Sequence, residues 1–501
     1  MSLKRNILAN YASQIYVTLI GIVILPLYIK YMGAEAYGLV GFFAMLQMCF
    51  NLLDMGLTPT MVRETACFRG GATDARSLRR LLRTLEGIFI CVAILGATAM
   101  MTGSGFIANS WLKVKQLPLI EVQLAIMLMA VIIALRWVCA LYRGTINGFE
   151  RMIWLGGFNI TVATARFMLV IPFFIYVSTR PTAYFSFQLV IAVIEVAVLI
   201  AQTYHLLPKV KSGTRTPWQW QPLRGVLKFS ITIAFAGAVW VLVTQTDKLV
   251  LSKLLPLTDY AYFTLAVLAV SGVMVISGPI SGALLPRLTK LNAAGDEAGL
   301  IRLYRNSTQL VGVIAIPAAL VLAFFAEQVL WAWTGNADIA RKAAPVLTLY
   351  ALGNGTLALA AFPYYLQFAK GDLKLHLISN AFFIVMFIPM LLWATWKYGM
   401  VGAGYAWMIA NLLPFVIWLP IVHRRFVKGL HIQWLQDLSG IVFLPLMGAV
   451  AVHSLVKWPQ GRLQAAAVIV MMSLGLLAIA TAGSSWVRKR ISSRLRARFN
   501  G

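Results

Sequence analysis

Apolar residues in this chain come in long uninterrupted runs, and the polar residues that break the runs cluster at their ends. About fourteen runs have the roughly 20 residues that a helix needs to cross a ~30 Å hydrocarbon core, the first near 8–30 and the last two near 438–456 and 464–486. The pattern predicts an all-α polytopic membrane protein. Two polar loops about 220 residues apart also read as copies, GGATDARSLRRLLR (Gly70 to Arg83) and NAAGDEAGLIRLYR (Asn292 to Arg305). Asp74 aligns with Asp296, Leu78 with Leu300 and Arg83 with Arg305, while Tyr37 with Tyr260 and Tyr142/Gly148 with Tyr365/Gly371 keep nearly the same offset. Each copy holds an even number of spans, so both enter the membrane in the same direction. This predicts two parallel six-helix repeats related by a pseudo-two-fold axis along the membrane normal, plus two C-terminal helices. The expected divisions are an N-terminal lobe 1–206, a linker 207–222, a C-terminal lobe 223–422, two added helices 423–487 and a basic tail 488–501.

Composition supports the membrane reading, with 60% hydrophobic and 12% charged residues. The net charge of +27 is mostly an orientation signal. With the N-terminus inside, most of the 43 lysines and arginines fall in cytoplasmic segments, so both termini are placed in the cytoplasm. The same charge implies contact with anionic membrane lipids rather than nucleic acid. The four cysteines are scattered, and neither a metal site nor a cofactor is expected. No GxxxxGK[ST] loop, GxSxG elbow or HExxH pair occurs, and the outer loops are short, so the expectation is a protein that is not an enzyme.

What remains is polar chemistry within the spans, nearly all of it in the first repeat. Gln47, Asn51, Asp54 and Thr58 follow spacings of four, three and four on the second helix, which aligns them along one face. Asn159 and Arg166 lie a heptad apart on the fifth, with Arg166 near the bilayer midpoint, where a cation costs at least ~2.5 kcal/mol. Gln188 and Glu195 repeat the heptad on the sixth; Arg136 lies on the fourth and Gln14 on the first. In the second repeat, Asp247 and Lys248 are the clear intramembrane charges. Structural explanations stand beside functional ones. Arg166 and Glu195 can form a buried ion pair, Asp54 can pair with Arg136, and Lys248 can snorkel to the outer surface. Asp247 and Lys248, adjacent on a helix, are expected not to face each other. A water-filled space in the first lobe accounts economically for several convergent polar faces.

The runs NILANYASQIYVTLIGIVILPLYIKYMGAEAYGLVGF, NLLDMGLTPTMVRE, TDKLVLSKLLPLTDYAYFTLA and SGPISGALLPRLTKL resemble the Wzx-type polysaccharide-biosynthesis flippases of the multidrug/oligosaccharidyl-lipid/polysaccharide exporter superfamily. The resemblance covers the first twelve helices. It implies a bacterial inner-membrane transporter that moves an undecaprenyl-pyrophosphate-linked oligosaccharide to the outer leaflet by alternating access, alongside glycan polymerase or export proteins. The resemblance itself secures no site residue; from their chemistry, Arg166 and Arg136 are the candidates to attract the pyrophosphate, Gln14, Gln47, Asn51 and Asn159 to hydrogen-bond the sugars, and Lys248 is a further substrate-binding candidate. Glu195, Asp54 and Asp247 are the acids available to couple H+ or Na+. A drug/cation antiporter, a lipid II flippase and a membrane-embedded polymerase or ligase stay open as alternatives.

Overall fold

A computed structural model describes residues 3–54, 56–72, 74–208 and 241–488; the side chains of 3–10 and 275–283 are outside the description. Most of the predicted linker and tail therefore lie outside the described residues. The described residues are helical throughout, with one isolated β-bridge between Lys113 and Pro256. The chain divides into two compact units, 1–261 and 262–501.

In the first unit α1 is Leu3–Met32, α2 Ala34–Phe50, α3 Leu57–Arg69, α4 Ala75–Thr102, α5 Leu119–Gly148, α6 Met152–Phe167, α7 Val170–Tyr176 and α8 Pro181–Leu206. Residues 241–254 form a further helix, α9. The centre of the unit is α5, which packs against α3, α4 and α8, while α1 packs along α6. A belt of buried leucines with Phe89 stacked on Trp137 fills the space between α4 and α5.

After α9 the chain continues as α10 (Leu257–Ala293), α11 (Glu297–Phe324), α12 (Ala326–Thr334), α13 (Ala337–Lys370), α14 (Lys374–Phe426), α15 (Leu430–Leu455) and α16 (Arg462–Gly483). Here α11 is the hub, meeting α13 on one side and α15 and α16 on another. The two added C-terminal helices thus complete the core of the second unit, with Trp434 of α15 fully enclosed beside Tyr304 and Leu438. Arg462 secures this arrangement by donating to the carbonyls of Ala332 and Trp333 at 2.7 and 2.6 Å, which lie at the C-terminal end of α12. Helix ends leave such carbonyls without intrahelical donors.

Twelve helices among the described residues are long and apolar enough to span a membrane. One of them, α14, is broken at Gly399 (φ 59°, ψ −139°) and so holds two of the predicted spans. The predicted span 224–250 lies mostly outside the described residues, which accounts for the difference from about fourteen. At the duplicated loops the two copies do the same work. Asp74 accepts from Arg76 N–H at the start of α4, and Asp296 from Gly299 N–H at the start of α11. Leu78 and Leu300 are each fully buried behind these caps, as are the paired tyrosines Tyr37 and Tyr260.

Two predicted continuous helices are interrupted, and each break has a local cause. The second predicted span ends at Phe50 and passes through a 3₁₀ turn, Asn51–Asp54, to Gly56 in the left-handed region (φ 72°). Glycine adopts that conformation at little cost. The fifth predicted span breaks between Phe167 and Val170. Pro172 lacks an N–H, and its ring crowds the carbonyl four residues earlier, that of Met168.

The φ/ψ pair at Gly399 is open to glycine and strained for other residues by about 1–3 kcal/mol. Gly399→Val is expected to lower the melting temperature of the purified protein by several degrees. An unchanged melting curve would show that the α14 break relaxes without strain.

Candidate functional site

The break between α6 and α7 determines the polar interior of the first unit. The last carbonyls of a helix need outside donors, and those of Arg166 and Phe167 receive the Tyr28 hydroxyl at 3.3 and 3.4 Å. Gln188 of α8 adds its side-chain N–H to the Arg166 carbonyl at 3.0 Å. The same amide accepts from the Arg136 guanidinium at 2.8 Å. Gln188 therefore links the frayed end of α6 to the most buried arginine of α5. Arg136 is 7% exposed, reaches Gln47 at 3.5 Å, and lies 5.4 Å from the centre of the Phe43 ring. Its hydrogen-bonding partners are neutral amides.

Arg166 stands differently from its expected place. Its guanidinium sits 5.5 Å from the Phe167 ring and makes no hydrogen bond or ion pair among the described residues. It lies within electrostatic range of Arg136, which it repels. The expected Arg166–Glu195 pair does not form. Glu195, 4% exposed, is held by Arg143 at 2.6 Å, and Arg143 also donates to Asn159. One Glu195 oxygen, Oε2, keeps no partner. Arg143 lies seven residues beyond Arg136 on α5, toward the end of the helix. Its long side chain reaches the two heptad positions that α6 and α8 bring together.

Other expected contacts also change. Asp54 does not meet Arg136; it caps α3, accepting from the Thr58 N–H at 3.2 Å and the Thr58 hydroxyl at 2.5 Å. Because the helix has already broken, Gln47, Asn51, Asp54 and Thr58 do not form one continuous face. Asn51 and Gln14 are exposed, and the Asn51 amide donates to the Met48 sulfur at 3.8 Å. Asp247 and Lys248 do approach, at 3.9 Å, contrary to the expectation for neighbours on a helix. Lys248, expected to snorkel, bends back to the Thr244 carbonyl at 2.7 Å, toward the start of α9.

Sequence reasoning passed over Glu86 of α4. Its carboxylate accepts from Tyr142 at 3.1 Å and from Tyr204 at 2.9 Å, tying α4 to α5 and α8. The signal was present in Tyr142, which had been noted only as a repeat anchor. Glu35 was also missed. It is 3% exposed and accepts three backbone N–H groups, from Lys115, Gln116 and Leu117, which fixes the loop before α5. The interior polar layer thus contains three guanidiniums, Arg136, Arg143 and Arg166, against the carboxylate of Glu195.

A multi-span helical membrane protein with a cationic layer inside one helical unit is the class these features define. The chain belongs to the polysaccharide biosynthesis protein family, whose model matches residues 3–292, so the resemblance seen in the sequence is borne out. A relative from Shigella flexneri, named for O-antigen transport, is 22% identical over 424 residues, covering 84% of this chain and 98% of the relative. Among solved structures, the lipid II flippase MurJ in an inward closed conformation is similar with a TM-score of 0.73 at 13% identity, covering 96% of this chain and 99% of that one. An inward-facing multidrug resistance MATE family transporter of the MOP superfamily aligns with a TM-score of 0.65 at 15% identity, covering 84% and 95%. These two likenesses establish the shared fold.

Removing one partner of a buried ion pair strands the other, at a cost of about 3–5 kcal/mol, whereas removing both is often near neutral. Arg143→Met is therefore expected to lower the melting temperature more than Arg143→Met with Glu195→Met. Equal losses would show that Glu195 does not depend on Arg143.

Proposed function

We propose that this protein is a flippase that carries an undecaprenyl-pyrophosphate-linked oligosaccharide from the cytoplasmic to the outer leaflet of a bacterial inner membrane. The observation that carries the proposal is the Arg166 guanidinium, a membrane cation with no hydrogen bond or ion pair among the described residues, close to Arg136, whose hydrogen-bond partners are neutral amides and which lies within electrostatic range of Glu195. Burying such charge without compensation is costly. A pyrophosphate supplies the missing counter-charge when it enters. Membership of a polysaccharide-biosynthesis family and the name of the Shigella flexneri relative support a glycan cargo.

Each part of the cargo sets a different demand. Sugar hydroxyls cannot cross hydrocarbon unpaired, since each costs several kcal/mol there, while the polyprenyl tail never leaves the lipid. A hydrated passage that opens to the two sides of the membrane in alternation meets both demands. Arg166 and Arg136 then attract the pyrophosphate, with Gln47, Asn159 and the exposed Gln14 and Asn51 on the sugar side and Lys248 as a further cation. With no nucleotide motif in the sequence, an H+ or Na+ gradient is the proposed driving force, worth ~2.3 kcal/mol per charge per 100 mV. Glu195, with one oxygen unspent, leads Asp247 and Asp54 as the coupling acid, because Asp54 already caps a helix. The excess of basic residues in alternate loops supports a cytoplasmic location for both termini. A cation-binding antiporter would want the opposite charge balance from three arginines facing one glutamate.

Arg166→Ala is expected to abolish surface glycan export in a complementation assay while protein abundance is unchanged, and Arg166→Lys to retain a substantial part. Full export by Arg166→Ala would remove the pyrophosphate role. Transport into vesicles is expected to fall at least severalfold when the ion gradients are collapsed; an unchanged rate would exclude gradient coupling.

A further inference from the structure

The second unit carries a cavity of about 490 Å³ whose lining includes Arg302, Arg305, Asn306 and Gln309 of α11, Asp437 of α15 and Trp486 beyond α16. Arg302, Asn306 and Gln309 follow spacings of four and three, so they form one stripe along a helical face. We propose that this cavity binds the headgroup phosphate of an anionic phospholipid.

Four observations support the assignment. Asp437, the acid in the wall, is already neutralised. Arg305 grips it with two bonds, of 2.6 and 3.0 Å, and spends a third on Gln433 at 2.7 Å. Arg302 and Asn306 make no hydrogen bond or ion pair among the described residues, which leaves one cation and one amide one turn apart for a ligand. Gln309 is 3% exposed, and its Oε1 accepts from the Ser484 hydroxyl at 2.7 Å and the Trp486 N–H at 3.3 Å. The backbone donor at Trp486 fixes which way this amide points. Its nitrogen makes no hydrogen bond among the described residues, and the residue lines the cavity. An anion with several acceptor oxygens satisfies all three groups together.

The position selects a lipid over a free anion. The cavity lies where three spans meet the face that carries the basic loops, and Trp486 is the type of residue that settles at a membrane interface. Below it, α15 and α16 expose Phe443, Met447, Val470 and Met471 along lengths that suit acyl chains. The site is built from α11 with the two added helices and lies within the second unit, so it does not depend on the transport proposal.

The test is native mass spectrometry of the purified full chain with equal amounts of phosphatidylglycerol and phosphatidylethanolamine. The wild type is expected to retain phosphatidylglycerol at least fivefold over phosphatidylethanolamine. Arg302→Ala with Asn306→Ala should erase that preference, and Arg302→Lys should keep most of it. Because Arg302 is exposed and unpartnered, the single Arg302→Gln serves as a second variant whose folding is not at stake. Loss of preference in Arg302→Gln, with Arg287→Gln outside the cavity unaffected, supports the site. Equal retention of the two lipids by wild type, an unchanged preference in Arg302→Gln, or displacement of phosphatidylglycerol by millimolar inorganic phosphate alone overturns it.

Discussion

A positive charge held inside a membrane-spanning unit without a carboxylate beside it is the constraint on which the first lobe depends. Water would solvate Arg166 and Arg136 at no cost, and hydrocarbon would reject them. The protein does neither completely. It offers Arg136 the oxygens of Gln188 and Gln47 and the face of Phe43, and gives Arg166 a ring and no acceptor. Neutral amides and rings lower the cost of a cation while leaving its charge available. A carboxylate would cancel it, and the acid that is near, Glu195, is taken by Arg143.

The arrangement is built from a broken helix. Pro172 interrupts the fifth span, the interruption frees the carbonyls of Arg166 and Phe167, and those carbonyls draw in Tyr28 and Gln188. Gln188 then has its oxygen left for Arg136. Irregular backbone in a membrane persists only where other groups satisfy it. Here the satisfaction and the positioning of charge are one interaction. Among the described residues of the second unit, polar contacts such as Arg305 on Asp437 and Tyr304 on His423 at 2.7 Å hold α11 to α14 and α15.

Periodicity and repetition made much of the fold readable in advance. Runs of apolar residues located the spans, and the loop duplication was sound enough that Asp74 and Asp296 turn out to cap equivalent helices. The candidate site was readable as a set of residues but not as a set of pairs. Depth was inferred by counting along helices taken as straight, and Pro172 and Gly56 break that count. Arg143 has a side chain long enough to reach Glu195, which no spacing argument registers. Lys248 reached Asp247 by folding back along its own helix, again through side-chain length. Glu86 escaped because a carboxylate one turn from Arg83 reads as an ordinary interfacial pair, until Tyr142 and Tyr204 are seen to converge on it.

Whether water and an anion reach the unpartnered guanidinium is open to direct measurement. In a background with Cys49, Cys67, Cys91 and Cys139 replaced by serine, Arg166→Cys can be exposed in membranes to a charged, membrane-impermeant thiol reagent. The account predicts labelling within minutes, and protection when a polyprenyl pyrophosphate is added. Reaction only with a lipid-soluble reagent, or no reaction with either, would place position 166 in lipid or dry packing and contradict it.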